Sequence, residues 1–135
     1  MQQDQITGYS EKLQIEKRYV TVTTKETLLE MVEAIEEASR ISLDTETTSL
    51  NPRKGKIIGF SITTKIGTGF YLPTLKWNNY TQKLEELLIE GKSTHNIAVR
   101  VMKMLKGKKL ICHNASFDLR YIKNYYGVSL IEDLW

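Results

Sequence analysis

An apolar run that ends in two carboxylates spaced by one residue constrains this chain more than any other feature. Residues 41–50 read ISLDTETTSL. The start of that run suits a buried strand, and a strand repeats its side-chain direction every second residue. Asp44 and Glu46 should therefore point the same way, with carboxylates within roughly 7 Å of each other at a rise of about 3.3 Å per residue. Two like charges at the end of a buried strand repel each other and lose hydration, so they need a compensating cation. Mg²⁺ or Mn²⁺ meets that need, because hard ions prefer carboxylate oxygen and often use one or two protein carboxylates plus phosphate and water. An Asp-x-Glu pair also suits a solvated strand end, so the rest of the chain must decide.

With 135 residues the chain is one domain's worth, enough for a core without disulfides. Nineteen Lys and Arg against sixteen Asp and Glu leave a formal charge of +3, too mild and too dispersed to argue for nucleic acid by itself. The single cysteine, Cys112, excludes an internal disulfide framework and fits a reducing compartment. No apolar run approaches the ~18 residues of a membrane span, and residues 1–10 carry no signal-peptide apolar region. The chain reads as soluble, cytoplasmic and unconnected with membranes.

Residues 1–17 are polar and Gln-rich and read as a loosely held leader. Residues 19–22 alternate as a short strand. Thr23 and Glu26 form a capping-box signature, and Leu28, Met31, Val32, Ile35 and Ala38 then recur at helical spacing, which predicts a helix over 25–39. Residues 57–63 and 67–73 read as two strands that complete a three-stranded antiparallel meander with residues 41–44. The loop between carries Arg53, Lys54 and Lys56, a soluble turn or a phosphate contact. Residues 75–81 read as a linker and 82–90 as a short helix ending at Gly91. A further helix is expected from Ser93 or Thr94 to Leu105, with His95 exposed in its first turn. Residues 109–113 form a second buried-strand candidate, after which Asn114 can cap a helix that Gly127 ends. Phe117, Leu119, Ile122 and Tyr126 give that helix its buried side. Asp118 falls in its first turn, where it either gains from the helix dipole or supplies a third carboxylate. Cys112, inside the strand, reads as a small core residue.

The segment Leu43-Asp44-Thr45-Glu46-Thr47-Thr48-Ser49-Leu50 resembles the first motif of the DEDD 3′-5′ exonucleases, and His113-Asn114-Ala115-Ser116-Phe117-Asp118 resembles the second. Their spacing, Phe70-Tyr71-Leu72-Pro73 and Tyr125-Tyr126-Gly127 are similar to the proofreading domain of family A, polymerase I-like DNA polymerases, over residues 18–135. The resemblance implies an α/β, RNase H-like fold: a mixed sheet with the meander and flanking helices. It implies that Asp44, Glu46 and Asp118 serve two Mg²⁺ or Mn²⁺ ions, ~3.5 to 4 Å apart, that hydrolyse a 3′-terminal phosphodiester bond. Asp44 would bridge both ions, Glu46 would hold one and orient the water, and Asp118 would serve the other. By the same resemblance Thr45, Thr47, Asn114 and Phe117 would lie against the terminal nucleotide of a single-stranded DNA 3′ end. Leu50 would pack on its base, unless it is an ordinary core leucine.

The family's third motif, a Tyr or His four residues before a fourth Asp, has no counterpart, since Asp133 stands too close to the second motif. The chain is therefore expected to be cut in mid-domain, its third exonuclease motif and polymerase domain lying beyond residue 135. Weak metal binding, poor hydrolysis and reliance on a homo-oligomer or an absent segment follow as expectations. A phage-like polymerase is the expected source, with a host-cell cytoplasm as its compartment. Competing expectations are a ribonuclease D-like or helicase-associated exonuclease and a non-catalytic nucleic-acid-binding remnant.

Overall fold

The computed structural model describes residues 17–135, so the expected leader, apart from Lys17, lies outside the described residues. Its frame is a five-stranded mixed sheet whose strands lie in the order 18–21, 68–73, 57–63, 40–47 and 109–112. Strands β2 (Arg40–Thr47), β3 (Ile57–Thr63) and β4 (Thr68–Pro73) form the antiparallel meander. Strand β1 (Arg18–Thr21) runs parallel to β4, and β9 (Lys109–Cys112) runs parallel to β2. Together with the helices these strands form the mixed α/β arrangement that the resemblance implies.

Residue parity divides the sheet. Ile41 and Leu43, Phe60 and Ile62, Phe70 and Leu72, and Leu110 point to one face and are buried there with Met31, Ile35, Met102 and Tyr121. Ser42, Asp44 and Glu46 point to the other face, opposite Thr63, Ser61 and Gly59 of β3. Helix α1 (Lys25–Glu37) buries Met31 and Ile35, as its periodicity predicts, but its cap is Thr24. Thr24 Oγ1 accepts from Thr27 N at 3.1 Å while Thr27 Oγ1 accepts from Thr24 N at 3.0 Å. The reciprocal pair expected from Thr23 and Glu26 thus forms one residue later, with a hydroxyl in place of the carboxylate.

Residues 75–93 depart from the sequence reading. The expected linker begins as strand β5 (Leu75–Asn78), and the expected short helix is instead β6 (Lys83–Glu86) and β7 (Leu88–Ile89), with β8 (Lys92–Ser93) pairing back after Gly91. Trp77 pairs with Leu84, and the Asn78 side chain caps the turn by accepting from Tyr80 N at 2.8 Å. The leucine spacing over 84–88 fits one helical turn and alternating strand positions alike, and cross-strand pairing decides between them. Helix α2 (Thr94–Met104) starts at Ser93, whose hydroxyl accepts from Asn96 N. His95 is half-buried, not exposed, with its ring against Tyr125 and Tyr126. After β9, helix α3 (Ala115–Tyr121) continues into a π-helical turn, Ile122–Tyr126, and ends where Gly127 takes φ +74°. No helix among the described residues is long and apolar enough to cross a membrane.

Buried Thr94 joins this irregular stretch to the sheet. Its hydroxyl is within reach of Leu87 O at 2.6 Å and Thr74 O at 3.1 Å, and Thr74 in turn reaches Ile58 O at 2.9 Å. Thr94→Val removes that hydroxyl and keeps the side-chain volume. It should lower the unfolding free energy by about 1–2 kcal/mol, measured by urea denaturation.

Candidate active site

Asp44 and Glu46 stand side by side on the exposed face of β2, as period two requires, and both are exposed. Glu46 lies opposite Gly59, and one strand further on Pro73 continues the row. From β4, Tyr71 donates its phenolic hydroxyl to Glu46 Oε2 at 2.6 Å. Burial and the neighbouring carboxylate both push the Tyr71 phenol above its ordinary pKa.

Asp118, in the first turn of α3, is buried at 1% exposure. Thr45, of opposite parity to Asp44 and Glu46, meets it. The Thr45 hydroxyl donates to Asp118 Oδ1 at 2.5 Å, and the Thr45 N–H approaches the same oxygen at 3.3 Å. Oδ2 is buried with no partner among the described residues. Burial raises the Asp118 pKa, the Thr45 bonds lower it and the charge of Asp44 raises it, with a net upward shift. Burial also pushes the half-buried Cys112 thiol up to about 11, assisted by Asp118 and Asp44. A thiol so poised is a poor nucleophile, in keeping with a packing role.

The loop after β2 is held at its base and bare at its tip. Thr48 N donates to Lys56 O, and Lys56 N donates to the Thr48 hydroxyl. Buried Tyr121 of α3 donates its hydroxyl to Ser49 O and lies within 3.3 Å of Asn51 O. Gly55 makes room for this, because a Cβ there would overlap the Tyr121 ring. Phe117 packs on Tyr121 at 5.2 Å between ring centroids. Leu50 projects from the tip at 88% exposure, so it is not a core leucine. Thr47 is half-buried and donates its hydroxyl to Ser49 O, which places it in the loop's own bonding. Asn114 sits at the N-cap position of α3 without a side-chain capping bond and is exposed. A polar cleft of about 510 Å³ beside the loop is lined by Asn51, Pro52, Arg53, Arg120 and Asn124.

The fold brings Asp44 close enough to Asp118 for its charge to act on it. Glu46 is tied instead toward β4 by Tyr71. Among the described residues no three His, Cys, Asp or Glu side chains stand together as an ion's ligand set. The donor chemistry nonetheless fits a hard cation, since the acidic groups offer carboxylate oxygens and Asp118 Oδ2 is desolvated without a partner. Sequence reasoning missed Tyr71, Tyr121 and Arg120. Tyr71 had the clearest signal, a polar-tipped residue alternating with Phe70 and Leu72 in a half-covered strand.

A mixed sheet flanked by helices, with a carboxylate pair at the end of one strand and a third carboxylate on a following helix, defines an RNase H-like nuclease fold. A family model described as 3′-5′ exonuclease matches residues 19–132, and the chain belongs to that family, within the DEDD exonuclease superfamily. DNA polymerase I of Borreliella burgdorferi is 33% identical over 110 residues, 79% of this chain. The chain spans 11% of the length of that relative. Among solved structures, the Trypanosoma brucei RNase D complex with RNA U12 superposes with a TM-score of 0.64 at 17% identity, covering 93% of this chain and 39% of its own. The catalytic core of RRP6 from Trypanosoma brucei does so with a TM-score of 0.54 at 18% identity, covering 87% and 28%. These two likenesses concern the fold.

Because the folded state raises the Asp118 pKa above its ordinary 3.8, protonation of this carboxyl contributes to the stability of the fold. That contribution is complete below the unfolded value and is lost as pH rises through the folded one. Without added divalent cation, Asp118→Asn should remove this decline and leave the chain more stable at neutral pH, as urea unfolding across acidic and neutral pH would register.

Proposed function

We propose that the chain is the 3′-5′ proofreading exonuclease domain of a DNA polymerase, hydrolysing the last phosphodiester bond at a single-stranded DNA 3′ end. The observation that carries this reading is the buried, unpartnered Asp118 Oδ2 within reach of the Asp44 charge, in a chain of the 3′-5′ exonuclease family. The identity to a DNA polymerase I favours DNA as substrate and a longer polymerase chain as setting.

Asp44, Glu46 and Asp118 would hold two Mg²⁺ or Mn²⁺ ions, which when bound supply Lewis-acid stabilisation of the leaving 3′ oxygen and a more acidic water. Asp44 would serve both ions, Glu46 would serve one and help to orient the attacking water, and Asp118 would serve the other. Leu50, bare at the end of an anchored loop, packs against the terminal base without reading its identity. Thr45, Thr47, Asn114 and Phe117 border the terminal nucleotide, with Thr45 also fixing Asp118. Arg53 and Arg120, facing one cleft, are suited to the phosphate backbone of the strand behind it. Because no full set of ion ligands stands together among the described residues, the chain alone binds metal weakly and turns over slowly.

With Mn²⁺ and a 5′-labelled single strand, a longer chain carrying this domain shortens DNA from its 3′ end. Asp44→Ala lowers that rate by more than the ~100-fold typical of losing a metal ligand's hydrogen-bond partner. Equal digestion by the variant would falsify the assignment. Faster shortening of an RNA strand of matched sequence would move the substrate to RNA, and no cleavage of either would leave a binding remnant.

A further inference from the structure

On the exposed face of the sheet, one polar side chain is reached by another from two strands away. Glu46 is on β2, Tyr71 is on β4, and the strand between them, β3, places Gly59 directly opposite Glu46. With the Tyr71 ring where it lies, only glycine fits there: a Cβ on residue 59 would stand 2.4 Å from the Tyr71 hydroxyl, 2.7 Å from its ring carbon and 2.9 Å from Leu72 O. The phenol crosses the bare backbone of β3 and ends 2.6 Å from Glu46 Oε2. Gly59 is buried beneath that ring, although it belongs to the open face. Three residues on three adjacent strands are thus matched in shape and in hydrogen bonding.

We infer that Tyr71 is a positioning residue for Glu46, and that Gly59 is the clearance through which it acts. This rests on the reading of Glu46 as a metal-holding carboxylate. A carboxylate on an exposed strand end has two free torsions beyond Cβ, and fixing it during ion binding costs side-chain entropy. The Tyr71 hydroxyl occupies Oε2, selects one orientation beforehand and leaves Oε1 for the ion or its water. Hydrogen-bond partners of metal-holding carboxylates typically contribute 10–100-fold to affinity by this means. A purely structural role is the alternative: an aromatic ring laid over a strand glycine covers backbone that would otherwise be bare. Ring and hydroxyl can be separated, because phenylalanine keeps the cover and loses the donor.

The test is Mn²⁺ titration of the chain followed by the electron paramagnetic resonance of free Mn²⁺, with thermal unfolding of each variant alongside. Tyr71→Phe should weaken Mn²⁺ binding about tenfold with an unchanged melting temperature. Glu46→Gln should also weaken it, and Tyr71→Phe added to Glu46→Gln should cost nothing more. Affinity lost in Asp44→Ala but kept in Tyr71→Phe overturns the positioning role alone. A tenfold loss from Tyr71→Phe that persists in the Glu46→Gln background overturns it as well, since Tyr71 would then act elsewhere. Binding indifferent to Asp44→Ala, or no binding by the unaltered chain, overturns the metal site and the positioning role together.

Discussion

The contact between Thr45 and Asp118 is the constraint on which the site depends. It joins the end of β2 to the first turn of α3 across 73 positions of sequence, through a hydroxyl and an N–H that share one carboxylate oxygen. Desolvation works against the charge on Asp118, and Thr45 only partly offsets it. The residues on either side of Thr45 have the opposite parity, so the strand that secures Asp118 also presents Asp44 and Glu46 outward. A one-residue slip of β2 would exchange the two sets and lose both. Register is therefore a chemical specification here, and the paired rows Leu43 with Ile62 and Leu43 with Cys112 enforce it from the core.

Much of this frame was legible in the sequence because its signals are local. The meander follows from β-rich segments separated by turn formers, and α1, α2 and the helix after residue 114 follow from apolar spacing. Reading failed where local signals are degenerate. Residues 82–90 carry leucines that satisfy a helix and a strand equally, and the pairing of Trp77 with Leu84 is visible only once both strands exist. Neighbouring threonines hid the cap of α1, since Thr24 and Thr27 bond each other as well as Ser and Glu would.

The candidate site was legible as residue types and less so as geometry. Asp44, Glu46 and Asp118 stood out as candidates from their motifs. That Asp118 answers to Thr45, and Glu46 to Tyr71, depends on strand neighbours 73 and 25 positions away. Glycines gave a quiet signal of the same kind. Gly55 and Gly59 each mark a place where a tyrosine hydroxyl passes over backbone, and neither could have been read as such without the partner.

The loop that carries Leu50 is set in place by the fold itself. Its base is closed by Thr48 and Lys56, and Tyr121 fastens it to α3 from below. The ordering of these residues is therefore completed during folding, and little of it is left to be repeated at each encounter. On the proposed reading, Leu50 would meet a strand end as a wedge set in place beforehand. Its discrimination would then lie in how readily that end frays far enough to reach it, a property of the nucleic acid and not of the loop.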